Sequence, residues 1–494
     1  MKLFLSEQIR QIDEATIQNE PIASIDLVER ASQACSAWIL ENYEGQSSFH
    51  IFCGMGNNGA DGLAIARLLA ESDQEVSVHV IAHRSNGSSN FDQNIKRLAE
   101  VGIDANYVNN PKDMPTVHEN SIAIDAILGI GLGKPLRGIL KEVVQSLGEA
   151  YEHIISIDVP TGLPSDLLQD FNSKTVVKAA HTLTFQFPKL SFLLAETGEV
   201  TGEIHVLDIG LDGVAIHDTP SNFHITTEFE AETFRPTRKS FSHKGTYGHA
   251  FLVAGHEGMM GAAVLATRAC LRSGAGWVST HVPKSGRDIL QMAAPEAMVS
   301  VDHANMSFTG TILSDRYSAI GIGPGLGRET KSLEALKKVL SEVQVPIVLD
   351  ADALHLLSLS KDWDLLPPQA VLTPHIGEFK RMTGKEYSGT AEMLIDAMTW
   401  AEEKKCFLVL KGAFTAICTP NGEVYFNTSG HPGMATSGSG DVLTGLLTGL
   451  LAQGIPILNA IRFGVWMHGF AGEEAAGIKG EHAMIASDII ENLQ

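Results

Sequence analysis

Short apolar runs recur from one end of the chain to the other, each followed by sequence whose apolar residues fall at helical spacing. In the first half the runs lie at 50–53, Val76–Ile81, 121–125 and 154–158. In the second half they lie at 249–254, Trp277–Val282, Ala319–Ile322, 346–350, Val371–Leu372 and Phe407–Leu410. Runs of this kind read as strands, and the segments between them as covering helices. The alternation predicts an α/β fold with mostly parallel sheets. Ser6 is placed to cap a helix over residues 7–19, and Val28, Ala31, Cys35, Trp38 and Ile39 mark the apolar stripe of the next. Further helices are expected over 63–69, 261–272 and 329–340. Between residues 210 and 230 the long apolar patterns fade, and Gly213 and Pro220 supply turn residues. A boundary placed there divides the chain into domains at 1–220 and 221–494.

Composition narrows the class. A chain of 494 residues with 44% apolar content can bury large cores, and its 47 glycines suit many strand–loop–helix turns. A net charge of −22 argues against nucleic-acid and anionic-membrane partners. The five cysteines, Cys35, Cys53, Cys270, Cys406 and Cys418, are odd in number and scattered, which fits reduced thiols in a cytoplasmic protein. Residues 1–10 carry charges and no apolar core segment, so no signal peptide is expected. The longest uncharged run, 442–461, holds Thr, Gln, Asn and several glycines and is broken at Gly454-Ile455-Pro456. A buried helix followed by a turn is expected there rather than a membrane span.

The candidate chemistry sits at strand ends. Thr436-Ser437-Gly438-Ser439-Gly440 feeds into an apolar helix, so its backbone N–H groups and the helix dipole suit a phosphate. Asp441 falls in the first turn, either as a simple helix-starting carboxylate or as a base beside a bound hydroxyl. Asp350 ends a buried strand, Thr373-Pro374-His375-Ile376-Gly377-Glu378 follows another, and Lys411-Gly412-Ala413-Phe414-Thr415 a third. Singly, His375 reads as a structural histidine, Glu378 as a helix cap and Lys411 as a solvated charge. Together they place ligand groups at successive strand ends, the arrangement phosphoryl transfer requires. No Gly-x-x-x-x-Gly-Lys-[Ser/Thr] pattern is present, which excludes a P-loop. In the first half, Gly54, Gly56 and Gly59 give Gly-x-Gly-x-x-Gly after a strand, with Asn57, Asn58 and Asp61 adding side-chain oxygens. Asp125 and Asp158 each end a strand before a loop, either as loop caps or, for Asn58, Asp125 and Thr161 together, as oxygen ligands around a monovalent cation.

Gly-x-Gly-Asn-Asn-Gly-x-Asp-Gly, Asp-Ala-Ile-Leu-Gly-x-Gly and Asp-Val-Pro-Thr-Gly resemble the NAD(P)H-hydrate epimerase family over residues 1–215. The resemblance implies a Rossmann-like three-layer domain that interconverts the R and S hydrates of NADH and NADPH. It further implies hydrate contacts at Asn57, Asn58, Gly59, Ala60 and Asp61 and at Gly129, Ile130, Gly131, Leu132, Gly133, Lys134 and Pro135. Potassium (K+) would be held by Asn58, Asp125 and Thr161, with Asp158 as acid/base. Ala60 stands where the family usually has Gly, and its methyl is expected to narrow the pyrophosphate approach.

Over residues 240–490, the order His-Lys-Gly-x-x-Gly, Gly-Pro-Gly-Leu-Gly, Asp-Ala-Asp-Ala-Leu, Leu-Thr-Pro-His-x-Gly-Glu, Lys-Gly-x-x-Thr and Gly-x-Gly-Asp-Val-Leu-x-Gly resembles the ribokinase-like NAD(P)H-hydrate dehydratases. That implies an α/β/α domain with Ala262, Gly325, His375 and Asp441 on the hydrate and Lys411, Gly412, Ala413, Phe414, Thr415 and Gly440 on the nucleotide. It also implies Mg2+, ADP as co-substrate and a homo-oligomeric assembly. Ser437 and Ser439 stand where relatives often carry Gly and Thr. Two rivals remain at this stage: a small-molecule kinase in the second domain, which would release a stable phosphorylated product, and a silent binding module in the first.

Overall fold

The computed structural model describes residues 1–43, 48–118, 121–132, 134–167, 171–310 and 315–494, and Gly133 of the expected hydrate loop lies outside them. The chain folds as two compact units, Lys2–Ser221 and Asn222–Gln494, with Met1 lying with the second. Both are α/β, as the alternation implied.

In the first unit the strands are β1 (Ser48–Cys53), β2 (Val76–Ile81), β3 (Ala105–Val108), β4 (Ser121–Ala126), β5 (Ile154–Ile157), β6 (His181–Phe185) and β7 (Glu203–Leu207). They form one parallel sheet in the order β3-β2-β1-β4-β5-β6-β7. Strands β4 and β5 are buried along their whole length, as helices on both faces require. The order reverses between β1 and β4. A crevice therefore opens beyond their carboxyl ends, where α/β sheets bind ligands.

The helix after β1 differs from expectation. It runs Asn57–Glu71 rather than 63–69, so the Asn-Asn-Gly-Ala-Asp stretch forms its first turns and the true loop is only Gly54–Gly56. The Ala60 N–H already donates to the Gly56 carbonyl at 3.0 Å. Packing against the sheet outweighs the poor intrinsic helix propensity of Asn, Asp and Gly there. The first helix, Ser6–Asn19, has Leu5 at its N-cap position. Ser6 does not cap it: its hydroxyl donates to Asp166 Oδ2 at 2.6 Å, and the Gln8 side chain takes the Leu5 N–H instead.

The second unit contains β8 (Phe223–Thr226), β9 (His249–Val253), β10 (Trp277–Val282), β11 (Met298–Val301), β12 (Ala319–Ile322), β13 (Ile347–Leu349), β14 (Val371–Leu372), β15 (Phe407–Leu410), β16 (Thr415–Cys418) and β17 (Val424–Asn427). Their order is β8-β17-β16-β15-β14-β13-β12-β9-β10-β11. Pairing is parallel except on the two sides of β16. The 210–230 stretch is thus not a bare linker. It holds a short helix, Gly213–Asp218, and then β8, which pairs with β17. Here too the order reverses, between β9 and β12. The helix Ser439–Ala452 covers that part of the sheet, and Gly454 to Pro456 separates it from Ile457–Lys479. Among the described residues no helix is long and apolar enough to cross a membrane. All five cysteines are buried and unpaired.

Candidate active sites

In the first unit a cleft of about 650 Å³ opens at the β1/β4 reversal. Asp125, at the end of β4, is fully buried. Its Oδ1 accepts the Thr161 hydroxyl at 2.7 Å, and its Oδ2 accepts the Thr161 N–H at 2.8 Å and the Ser156 hydroxyl at 2.9 Å. Burial raises its pKa, and these hydrogen bonds pull against that rise. Beside the pair, both polar atoms of the buried Asn58 amide lack a protein partner. Leaving such an amide unpaired costs on the order of 1–3 kcal/mol. The oxygens of Asn58, Asp125 and Thr161 suit an oxygen-seeking cation, which would satisfy the Asn58 Oδ1 but not its Nδ2–H2 donor.

Asp158 follows β5 in a left-handed backbone conformation, φ +67°. Its Oδ1 pairs with Lys189 Nζ at 2.9 Å, and its Oδ2 accepts the Ile130 N–H at 3.3 Å. Lys189 is 1% exposed and also donates to Thr184 Oγ1 at 2.9 Å and to two backbone carbonyls at 3.2 Å. Three further carboxylates, Asp13, Glu14 and Asp61, line the same cleft. Burial, with Asp158 adding, pushes Asp13 up to about 7 and Asp61 well above the usual carboxylate range.

The cleft is lined by Asn57, Asn58, Asp61, Gly129, Ile130, Gly131 and Asp158. Gly59 and Ala60 are not on it: they are buried under the loop, where a Cβ on Gly59 would come within 1.7 Å of the Gly54 carbonyl oxygen. The Ala60 methyl packs into the core and cannot narrow a pyrophosphate path. Leu132, Lys134 and Pro135 also fall outside the lining, whereas Arg10 and Arg84 bring positive charge to it.

In the second unit, Asp441 lies in the first turn of Ser439–Ala452, entered through Gly438 at φ +92°. A side chain is rarely tolerated at that φ, so Gly is what lets the chain turn into the helix. Asp350, at the end of β13, is 1% exposed. Its Oδ1 pairs with Lys411 Nζ at 2.9 Å, and its Oδ2 accepts the Thr444 hydroxyl at 2.8 Å. A Cβ on Gly440 would sit 3.4 Å from Lys411 Nζ, which puts the ammonium at the helix N-terminus. Burial raises the Asp441 pKa to about 7, with Asp350 adding and Lys411 opposing. For Lys411, burial works against the charge, but Asp350 and Glu378 outweigh it and the pKa rises.

The His375 Nδ1 accepts the Gly377 N–H at 3.0 Å, and Glu378 Oε2 accepts the His375 N–H at 2.9 Å. Both side chains therefore cap the helix Ile376–Thr383, yet the imidazole remains 53% exposed at the strand end. Ala262 and Gly325 also meet: a Cβ on Gly325 would lie 3.0 Å from the Ala262 Cβ. Residues 411–414 form the turn into β16, which begins at Thr415, so Thr415 is a strand residue rather than part of the loop. Behind the glycine loop, burial lowers the His468 pKa to about 4, and its Nε2–H donates to the Ser439 carbonyl at 3.0 Å.

Residues 24–191 match the family described as YjeF-related protein N-terminus, and residues 250–494 match NAD(P)H-hydrate dehydratase. The bifunctional NAD(P)H-hydrate repair enzyme of Moorella thermoacetica is 33% identical over 100% of this chain and 96% of its own length. The chain belongs to the bifunctional NAD(P)H-hydrate repair enzymes. A second repair enzyme of that name, from Thermofilum pendens, is 32% identical over 100% of this chain and 95% of its own length. The second unit is also similar to a ribokinase-like superfamily protein of Enterococcus faecalis, with 28% identity, TM-score 0.50, and coverage of 56% of this chain and 95% of that one.

In this repair enzyme, sequence reasoning passed over Lys189 and gave Asp350 no role. Lys189 carried a signal: it is the one charge in the run from Thr182 to Leu194, and a charge so placed must be paired when buried.

Proposed function

We propose that the first unit epimerises the R and S hydrates of NADH and NADPH at C6 and that the second returns the S form to NAD(P)H at the expense of ADP. One observation carries the dehydratase reading: Asp441 stands at the mouth of the glycine cradle, beside the Lys411–Asp350 pair, with a proton affinity poised near neutrality. Such a carboxylate can take the proton of the C6 hydroxyl as a phosphoryl group moves to that oxygen. The C6–O bond then breaks with phosphate leaving, a proton is lost from C5 so that the C5=C6 double bond of the dihydronicotinamide is restored, and AMP and phosphate are released. Lys411 and the N–H groups around Gly440 hold the nucleotide phosphates, while Ala262, Gly325 and His375 hold the hydrate. Mg2+ would neutralise charge on the transferring group.

In the first unit Asp158, held by Lys189 and the Ile130 N–H, moves the proton in epimerisation. Arg10 and Arg84 supply charge for the substrate pyrophosphate. Asn58, Asp125 and Thr161 would hold K+, which would supply positive charge at the strand ends.

The test is an assay of mixed hydrate epimers with ADP, following the absorbance of restored NAD(P)H. Asp441→Asn should lower the dehydration rate by about 10²- to 10⁴-fold with nucleotide binding little changed. A full rate in that variant would remove Asp441 from the chemistry. A stable phosphorylated product in place of AMP and phosphate would make the unit a kinase.

A further inference from the structure

The first unit carries a second group of ligand-type side chains, at the opposite end of the sheet from the cleft. His181 opens β6 and Glu203 opens β7, and the two are direct partners in the parallel register. His205 is two residues beyond Glu203 and so projects from the same face. The far end of β6, at Phe185, reaches the cleft lining about 13 Å away along the strand. The cluster is therefore separate from the epimerase chemistry.

His181 Nδ1 and His205 Nε2 lie 3.1 Å apart. Glu203 Oε2 is 3.6 Å from the first nitrogen, and Glu203 Oε1 is 3.9 Å from the second. One ligand atom from each of the three residues falls within a span of 4.8 Å. An ion bound tetrahedrally at about 2.0–2.1 Å from each nitrogen separates them by about 3.3 Å. The two nitrogens stand close to that spacing, joined by a hydrogen bond whose proton a bound ion would displace. Glu203, 69% exposed, keeps any one of its oxygens at least 3.9 Å from the His205 nitrogen, so its side chain must close by about half an ångström or more to ligate.

The surroundings hold the rings in place. The Trp38 ring lies 4.5 Å from the His205 ring and 5.2 Å from the His181 ring. His153 stands 5.7 Å from His181, with its Nε2 taken by the Tyr43 hydroxyl at 2.6 Å. Both ligand histidines are about one-fifth exposed, 22% and 21%, which leaves a path for the ion and for a water in the fourth position.

We propose that His181, Glu203 and His205 form a site for a divalent transition metal of the zinc class. Two imidazoles and one carboxylate suit Zn2+, Co2+ or Ni2+, whereas Mg2+ and Ca2+ take all-oxygen shells. A bound ion ties the edge strand β7 to β6 and stabilises the folded form by mass action.

The test uses the full-length chain, stripped with a chelator and titrated with CoCl2 and then ZnCl2. The wild type should bind one equivalent of Co2+ with the intense visible absorption of a tetrahedral site, lost when Zn2+ displaces it. Its melting temperature should rise with Zn2+. His181→Gln/His205→Gln should lose both effects while keeping the epimerase rate. Glu203→Gln, a change at an exposed position that leaves the core untouched, should bind at least tenfold more weakly and guards against misfolding of the double variant. The same Co2+ spectrum and stoichiometry in wild type and Glu203→Gln, or no equivalent bound more tightly than by scattered surface histidines, would overturn the proposal.

Discussion

A carboxylate can act as a base at neutral pH and still hold its proton long enough to matter only if its surroundings raise its affinity. For Asp441, burial supplies most of that rise, Asp350 adds to it and Lys411 opposes it, leaving the group at about 7. The sign follows directly. Only the ionised form accepts a proton, so the dehydration rate should climb with pH and level off above about 7, falling about tenfold per pH unit on the acid side. Asp350→Asn removes a negative neighbour of Asp441 and takes one carboxylate off Lys411, which keeps Glu378 at 3.9 Å but is freer to act on Asp441. Both changes lower the Asp441 pKa, so the acid limb should move to lower pH even as the maximal rate drops. A pH–rate profile of that variant checks it, and an unmoved or raised limb would mean that Asp350 does not set the charge at Asp441. Lys189 shows the same physics in the other unit. A fully buried ammonium is tolerable only when paired, and Asp158 together with three oxygen acceptors pairs it.

At the scale of elements, the phosphate cradle is only as well placed as the helix that presents it. Ser439–Ala452 packs closely on Met260–Arg272, the helix that carries Ala262. The approach is so tight that a Cβ on Gly445 would lie 2.0 Å from the Ala266 carbonyl oxygen. Gly445→Val should force the two helices apart, costing about 1–3 kcal/mol by overpacking. Denaturant unfolding should register the loss, and dehydration should weaken while epimerisation holds, because Asp441 and Ala262 ride on the two displaced helices. This helix was legible in the sequence because its signals agree: a glycine entry, an acidic first turn and an unbroken apolar run up to the Gly454 turn. The central parallel strands were legible for the same reason, being continuous and apolar, whereas β3, β6, β7 and β11, at or next to the sheet edges, were not read. Local pattern failed where tertiary contacts decide. Four of the five residues in Asn57-Asn58-Gly59-Ala60-Asp61 are poor helix formers, yet that stretch starts a helix because it packs beneath the glycine loop. Ser6 has the right chemistry for a cap but is claimed by Asp166, distant in sequence. Strand β8 is too short to announce itself and exists through pairing with β17.

At the scale of the molecule, the chain joins two chemistries that meet only in the stereochemistry of one carbon. The dehydratase unit consumes the S hydrate, and the R hydrate reaches it only after epimerisation. The two carboxylates, Asp158 and Asp441, therefore leave different signatures when each is removed. With Asp158→Asn and a mixture of epimers, the S fraction should be repaired at the wild-type rate. The R fraction should then follow only as fast as uncatalysed epimerisation feeds it. The trace of restored NAD(P)H becomes biphasic, with a first amplitude equal to the initial S fraction. Adding wild-type protein in the slow phase should collapse it at once. A single-phase trace at the wild-type rate from Asp158→Asn would mean that the proton at C6 is moved by another group in the cleft. Asp13, also held near 7 by burial and by Asp158, would then be the first residue to change.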